Sequence, residues 1–225
     1  MVHFHVITLF PESIEPYLGS SILGRAQEAG RIKVTFYNPR DYTEDKFARV
    51  DRRPYGGGPG MVLEPEAVLR AAEAAIGKKK GVEVIFFSTE GEQFSESTAT
   101  ELAGKKHIVM ICGHYEGVDA RVEQILKARR VTMGPFVLTG GELPAATIID
   151  AVSRFVPGVL GKAESLETNR HEHEHAGVAA ADVYTRPETL TWKRKQYKVP
   201  EVLLSGNHAK IDEWKRSTRA GKDEE

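Results

Sequence analysis

Two glycine-rich segments, each directly after an apolar run, constrain this chain most: Ile111-Cys112-Gly113-His114-Tyr115-Glu116-Gly117 and Gly134-Pro135-Phe136-Val137-Leu138-Thr139-Gly140-Gly141-Glu142-Leu143-Pro144-Ala145. His107 to Cys112 reads as a buried strand ahead of the first, and Phe136 to Leu138 reads as a strand within the second. Glycine at a strand end lets backbone N–H and C=O groups approach a ligand that a Cβ would hold away. In α/β folds ligands bind beyond the carboxyl ends of the strands. Two such ends predict one pocket built from backbone, and valine at Gly113 or Gly140 is expected to block it.

The surrounding pattern supports a parallel sheet. Residues 2–8 read as a strand, Ser13 to Gly30 as a helix and Ile32 to Tyr37 as a strand. Glu64 to Ile76 reads as a helix, Val82 to Ser88 as a strand and Ser95 to Ala103 as a helix. Asp119 to Leu126 reads as a helix, Arg130 to Leu138 holds the last strand and Leu143 to Phe155 is a helix with Pro144 in its first turn. Such alternation predicts an α/β domain over 1–160, a parallel sheet flanked by helices. Asn38 to Gly60 is a long irregular connection of the kind that carries function. Residues 161–182 lose the pattern and read as a flexible linker or lid. Residues 183–225 read as a small helical unit.

Composition excludes several classes. No apolar run reaches the ~18–20 residues of a membrane span. Met1 to Ile7 lacks the basic region and cleavage site of a secretory leader. One cysteine, Cys112, permits no internal disulfide and fits a cytoplasmic protein with a buried, inert thiol. The formal net charge is −1, but Thr185 to Arg219 carries nine Lys/Arg against four Asp/Glu. That basic end is a candidate phosphate-contacting surface, weighed evenly with a solvated helix face. No phosphate cradle is present: the sequence lacks Gly-x-Gly-x-x-Gly after the first strand and lacks a P-loop lysine. Tyr55-Gly56-Gly57-Gly58-Pro59-Gly60-Met61 is glycine-rich, but Pro59 removes a donor that an anion nest would use.

Read together and in order, several segments resemble the bacterial tRNA (guanine-N1)-methyltransferases that act at position 37. The segments are Arg53 to Met61, the two glycine-rich stretches, Ile149 to Gly161, Tyr184-Thr185-Arg186-Pro187-Glu188 and Val199 to His208. These enzymes belong to the SPOUT class of knotted methyltransferases, and the resemblance spans nearly the whole chain. It implies a trefoil knot in the sheet domain, S-adenosylmethionine as methyl donor, tRNA as substrate, a homodimer with sites at the interface and a C-terminal tRNA-binding unit, here shorter than in many relatives. It also admits Mg²⁺, and no protein metal ligands are assigned. The implied cofactor residues are Phe87, Ser88, Gly113, Tyr115, Glu116, Gly117, Met133, Gly134, Pro135, Phe136, Val137, Leu138, Gly140, Gly141 and Pro144. Asn207, His208, Lys215 and Arg216 are the implied RNA contacts, with Lys193, Arg194, Lys195 and Arg219 as further candidates.

Methylating a guanine N1 needs a base for its proton, because that nitrogen has no usable lone pair until the proton leaves. It also needs a cation where charge builds on O6. Arg154 in Asp150-Ala151-Val152-Ser153-Arg154-Phe155 matches the family's functional arginine. The base departs from the family's Asp motif. Counting back from Tyr184 places Glu172 there, with Glu167 and Glu174 as rivals, whereas counting forward from Gly161 places Asn169, which cannot accept a proton. Arg52 and Pro135 also stand where the family has aspartates. The tract His171-Glu172-His173-Glu174-His175 invites a metal, yet a solvated loop accounts for it better. The competing readings are an RNA-binding protein on the same scaffold without catalysis, and an unrelated nucleotide-binding α/β enzyme.

Overall fold

A computed structural model describes residues 1–160 and 182–220 of the chain. It divides into two compact units, Met1–Leu166 and Glu167–Glu225.

The first unit is built on five parallel strands. They are β1 (Val2–Ile7), β2 (Ile32–Tyr37), β5 (Val82–Gln93), β6 (His107–Ile111) and β7 (Arg129–Thr132), in the order β2-β1-β6-β5-β7. Two short strands, β3 (Asp51–Arg52) and β4 (Val62–Leu63), pair antiparallel within the long connection after β2. Arg52 forms an ion pair with Glu64 beside this hairpin. Side chains alternate across the sheet with the strand period of two. Phe4, Ile108 and Met110 face a core shared with α2 (Ser21–Glu28), α4 (Glu96–Ala103) and α6 (Glu142–Arg154). Ile7, Val109 and Ile111 face the other core, under α3 (Pro65–Ile76) and α5 (Ala120–Leu126). Helix α3 sets Ala67, Ala71, Ala72 and Ala75 inward, so small side chains let it lie close to the sheet. Ser95 and Asp119 act as N-caps for α4 and α5, accepting hydrogen bonds from Thr98 N and Arg121 N.

Four sequence expectations need correction. The helix expected over 13–30 is broken: α1 (Glu15–Leu18) ends at Gly19 before α2 begins. A Cβ on Gly24 would run into the Gly19 carbonyl oxygen, so the two segments meet where only glycine fits. Strand β5 does not stop at Ser88. Both Phe87 and Glu92 pair with Val131, so residues 88–91 bulge out and the strand then resumes. Gly91 closes the bulge against β7, where a Cβ would lie 2.6 Å from the Val131 backbone. Phe136 to Leu138 is not a strand; β7 ends at Thr132, and these three residues lie exposed in the loop that follows.

The fourth correction concerns the C-terminal unit, which is not wholly helical. It opens with an antiparallel hairpin, β8 (Thr189–Trp192) and β9 (Lys195–Lys198), and continues with α7 (Glu201–Leu204) and α8 (His208–Ala220). Among the described residues no helix is long and apolar enough to cross a membrane.

Candidate functional site

The carboxyl ends of β6 and β7 and the bulge of β5 meet around a cavity of about 230 Å³. Three segments wall it: Phe87–Thr89 at the start of the β5 bulge, Gly113–Gly117 after β6, and Val131 to Met133 at the end of β7 with Phe136 to Gly141 beyond it, joined by Pro144 from α6. After β7 the chain returns past the end of β5 to β6. There Gly140 bridges His114 and the Gly141 N–H donates to the Gly113 carbonyl at 3.0 Å. The Gly113–Gly117 loop is tied from the other side. Glu116 N donates to Met61 O at 3.0 Å and Leu63 N donates to Gly117 O at 3.0 Å. The glycine-rich 55–61 segment therefore buttresses this loop: Gly60 has φ +76°, and a Cβ there would run into the Glu116 carboxylate.

Two positions require glycine. Gly141 packs so tightly that a Cβ would lie 2.6 Å from Cys112 Cα and 3.0 Å from the Phe87 ring. Gly117 holds φ +122°, a backbone conformation that side chains disfavour. The walls are mixed. Backbone edges of the three segments combine with the apolar surfaces of Phe87, Met133, Phe136, Leu138 and Pro144, which suits a small ligand with an apolar face and polar edges.

Of the residues expected at a cofactor pocket, Phe87, Ser88, Gly113, Tyr115, Glu116, Gly117, Met133, Phe136, Val137, Leu138, Gly140, Gly141 and Pro144 line this cavity. Gly134 and Pro135 do not. They shape the loop behind it, where Phe136 N donates to Gly134 O at 2.9 Å and the Phe136 ring occupies the space of a Gly134 Cβ. Val131 and Thr132 also line the cavity, and no sequence signal marks them. The same holds for Thr8 and Glu142, which lie buried behind it. The Thr8 hydroxyl donates to Glu142 Oε1 at 2.6 Å, and Glu142 sits in the first turn of α6, where a carboxylate is favoured. Cys112 is buried beside them. Burial, then the Glu142 charge, raises its thiol pKa well above the usual value, so it is a packing group and not a nucleophile.

Arg154 is not at this cavity. It ends α6, ten residues after Pro144, so it lies roughly 15 Å along the helix from the cavity wall. It lines a separate hollow of about 200 Å³ with Tyr17, Ile22, Leu23 and Asp150, where the Tyr17 hydroxyl donates to the Asp150 carboxylate. Glu172, its rivals Glu167 and Glu174, Asn169 and the histidine tract fall outside the described residues.

In the second unit, Asn207 Oδ1 accepts from Lys210 N at 3.3 Å and so caps the start of α8. His208 and Lys215 are exposed along α8, which also carries Arg216. Lys193 and Arg194 form the two-residue hairpin turn, both with positive φ.

The chain is similar over nearly its whole length to known proteins. A family model described as tRNA (Guanine-1)-methyltransferase TrmD matches residues 2–225. The tRNA (guanine-N(1)-)-methyltransferase of Dictyoglomus turgidum is 45% identical over 216 residues, covering 96% of this chain and 84% of the relative. The same-named proteins of Thermomicrobium roseum and Bacillus subtilis are each 46% identical, covering 96% and 93% of this chain and 78% and 84% of those relatives.

Proposed function

Since the chain belongs to the tRNA (guanine-1)-methyltransferase family, we propose that it methylates N1 of guanine 37 in tRNA with S-adenosylmethionine as donor, acting as a cytoplasmic homodimer. The observation that carries this reading is the cavity beyond β5, β6 and β7, walled by the glycine loops. Its apolar side suits the adenine ring, and its backbone edges suit the polar atoms of a nucleoside. Phe87, Met133, Phe136, Leu138 and Pro144 would form the apolar side, and Gly113 to Gly117 with Gly140 and Gly141 the backbone side. When bound, the cofactor supplies an electrophilic methyl group. The return of the chain from β7 to β6 across β5 fits the SPOUT class, whose trefoil knot belongs to this proposal.

The other groups act on the guanine. A carboxylate accepts the N1 proton, and Glu172 is assigned that role. Arg154 faces O6 and stabilises the charge that develops there. Because Arg154 lies roughly 15 Å from its own chain's cavity, the arginine at each site comes from the second subunit. Exposed Tyr17 and Ile22 beside Arg154, and exposed Leu143 at the other end of α6, are apolar surface of the kind that a subunit interface covers. Asn207, His208, Lys215 and Arg216 hold the tRNA from the C-terminal unit.

Mixed dimers test the shared site. Arg154→Ala spoils one subunit's contribution, and Gly141→Val spoils the other subunit's cavity. Each variant alone is inactive on unmodified tRNA. A one-to-one coexpression pairs them at random, so half the dimers are mixed and each mixed dimer keeps one intact site, giving about a quarter of wild-type sites. Recovery of that activity supports the reading. No recovery, with mixed dimers shown by mass, places Arg154 in its own chain's site. Binding of tRNA without methyl transfer by the wild type would favour an RNA-binding protein without catalysis.

A further inference from the structure

The foot of the sheet, at the opposite end of the strands from the cavity, carries a cluster that the methyl-transfer reading does not use. His3 and His5 alternate on β1 and so point to one face. In the register of β1 with β6, His3 lies opposite His107. Three imidazoles from positions 3, 5 and 107 thus converge, each offering a nitrogen within 4.8 Å of the others. Among the described residues this is the one such grouping of three ligand-type side chains.

The geometry points to a binding site for a borderline transition-metal dication, Zn²⁺ above all, held by His3, His5 and His107 with a water completing four-coordination.

Three observations carry it. First, His5 Nε2 and His107 Nδ1 are 3.3 Å apart. Two nitrogens on one tetrahedral zinc, each about 2.0–2.1 Å from the metal, stand about 3.3 Å apart. Second, outer partners are already in place. His5 Nδ1 lies 3.1 Å from the Tyr37 hydroxyl and His3 Nε2 lies 2.8 Å from Thr35 Oγ1. In the tautomer in which His5 Nδ1 donates to Tyr37, the His5 ring keeps the lone pair of Nε2 on the side of His107, as metal-bound histidines do. Third, His5 is fully buried while His3 and His107 are part-exposed, so the anchor ligand is fixed by packing and an ion and its water have a way in.

The surroundings select the ion. Imidazole ligands suit zinc, copper and nickel, and offer hard Mg²⁺ or Ca²⁺ no oxygen. Lys79 lies near, but its Nζ donates to the Ala75 and Ile76 carbonyls at 2.9 and 3.4 Å, so its charge is held on the end of α3. Strand β6 spans roughly 13 Å at the usual rise per residue. A metal at its first residue is therefore remote from the cavity at its far end, and its role is to tie β1 to β6.

The test uses the full-length, untagged chain with His171, His173 and His175 replaced by alanine, so that the tract cannot supply the ligands. After chelator treatment and dialysis, Co²⁺ is titrated in while visible absorption is followed. One equivalent should bind with the strong d–d bands of a four-coordinate ion, and Zn²⁺ should displace it and raise the unfolding temperature. His3→Ala and His107→Ala, both at part-exposed positions, should each weaken binding by at least about tenfold, and the double variant should abolish the bands and the thermal shift. His5→Ala is left aside because a buried cavity would cloud the result. Absence of Co²⁺ binding by the tract-free protein overturns the proposal, as does unchanged affinity in the double variant.

Discussion

Alanine at Gly141 and at Gly113 should behave oppositely, although both glycines line the cavity. A Cβ on Gly141 would lie 2.6 Å from Cys112 Cα and 3.0 Å from Cys112 Cβ and the Phe87 ring, where ordinary contacts begin near 3.4 Å. Cys112 cannot yield, because it is buried at the end of β6 and its N–H is bonded to the Ile7 carbonyl at 2.9 Å. The start of α6 must retreat instead, by about 1 Å, and the hydrogen bond from the Gly141 N–H to the Gly113 carbonyl breaks. Misplacement of that size costs roughly 10²-fold where geometry decides. A Cβ on Gly113 would meet Val118 Cγ2 at 3.4 Å and Gly117 Cα at 3.9 Å, ordinary contacts that need no backbone movement. Calorimetric titration with S-adenosylmethionine should therefore show affinity falling about tenfold to 10²-fold for Gly141→Ala. Gly113→Ala should stay within a few-fold of wild type. Thermal unfolding run beside it separates lost binding from lost folding. Equal losses in the two variants, or wild-type affinity in Gly141→Ala, would refute the packing argument.

Glu172→Gln keeps size but removes basicity, so turnover should fall by roughly 10²–10⁴-fold with substrate affinities little changed, and higher pH should restore part of it; full activity in this variant alongside a dead Glu167→Gln would move the base to Glu167. Charge reversal at Lys193 and Lys215 should weaken tRNA binding and lower the salt slope by about 0.7–0.9 for each phosphate that is no longer neutralised, while an unaltered slope would put the RNA surface elsewhere. The metal-free protein should lose stability as pH falls through the histidine range. Burial, aided by nearby Lys33 and Lys79 and by neighbouring histidines, holds His3 at about 4 and His5 at about 3. The unfolded chain takes up protons near 6.5 and the folded chain does not, so stability is full above about 6.5 and is lost from there down to about 4. Urea midpoints across this range should show a shallower fall for His3→Gln, and an identical fall would remove these histidines from the acid response.

What could be read from the sequence was what local pattern determines. Strands β1 and β2 alternate apolar with polar residues, β6 is an apolar run, and α3 and α6 carry long apolar faces, so their existence needed no tertiary information. The continuation of β5 was hidden because Thr89-Glu90-Gly91-Glu92 is polar, and only its pairing with β7 makes it strand. Phe136 to Leu138 misled in the opposite sense: these apolar residues lie in a loop that lines the cavity. The β8–β9 hairpin escaped because its turn is Lys193-Arg194, with positive φ at both residues and neither glycine nor asparagine to announce it. Glu142 drew no notice as one acidic residue at a helix start; its burial against Thr8 depends on two segments far apart in sequence. The histidine cluster shows the same limit, since His3 and His5 alternate visibly while His107 joins them only through strand register.

Helix α6 links the parts of the proposed mechanism. Its first turn abuts the cavity through Gly141 and Pro144, and its last residue is Arg154. A helix of this length is stiff, so the backbone spacing between Pro144 at the cavity and Arg154 is set at roughly 15 Å. The chemistry needs the arginine beside the methyl-accepting base. In the proposed two-fold pair the same surface patch would serve both subunits, and each α6 would run from its own cavity toward the other's. The Tyr17 to Asp150 hydrogen bond takes on a purpose in that setting: it ties α1 to the last turn of α6 and fixes the backbone from which Arg154 extends. Tyr17→Phe would remove that tie while leaving the cofactor cavity untouched, so an effect on turnover with unchanged cofactor affinity is what a positioning role requires.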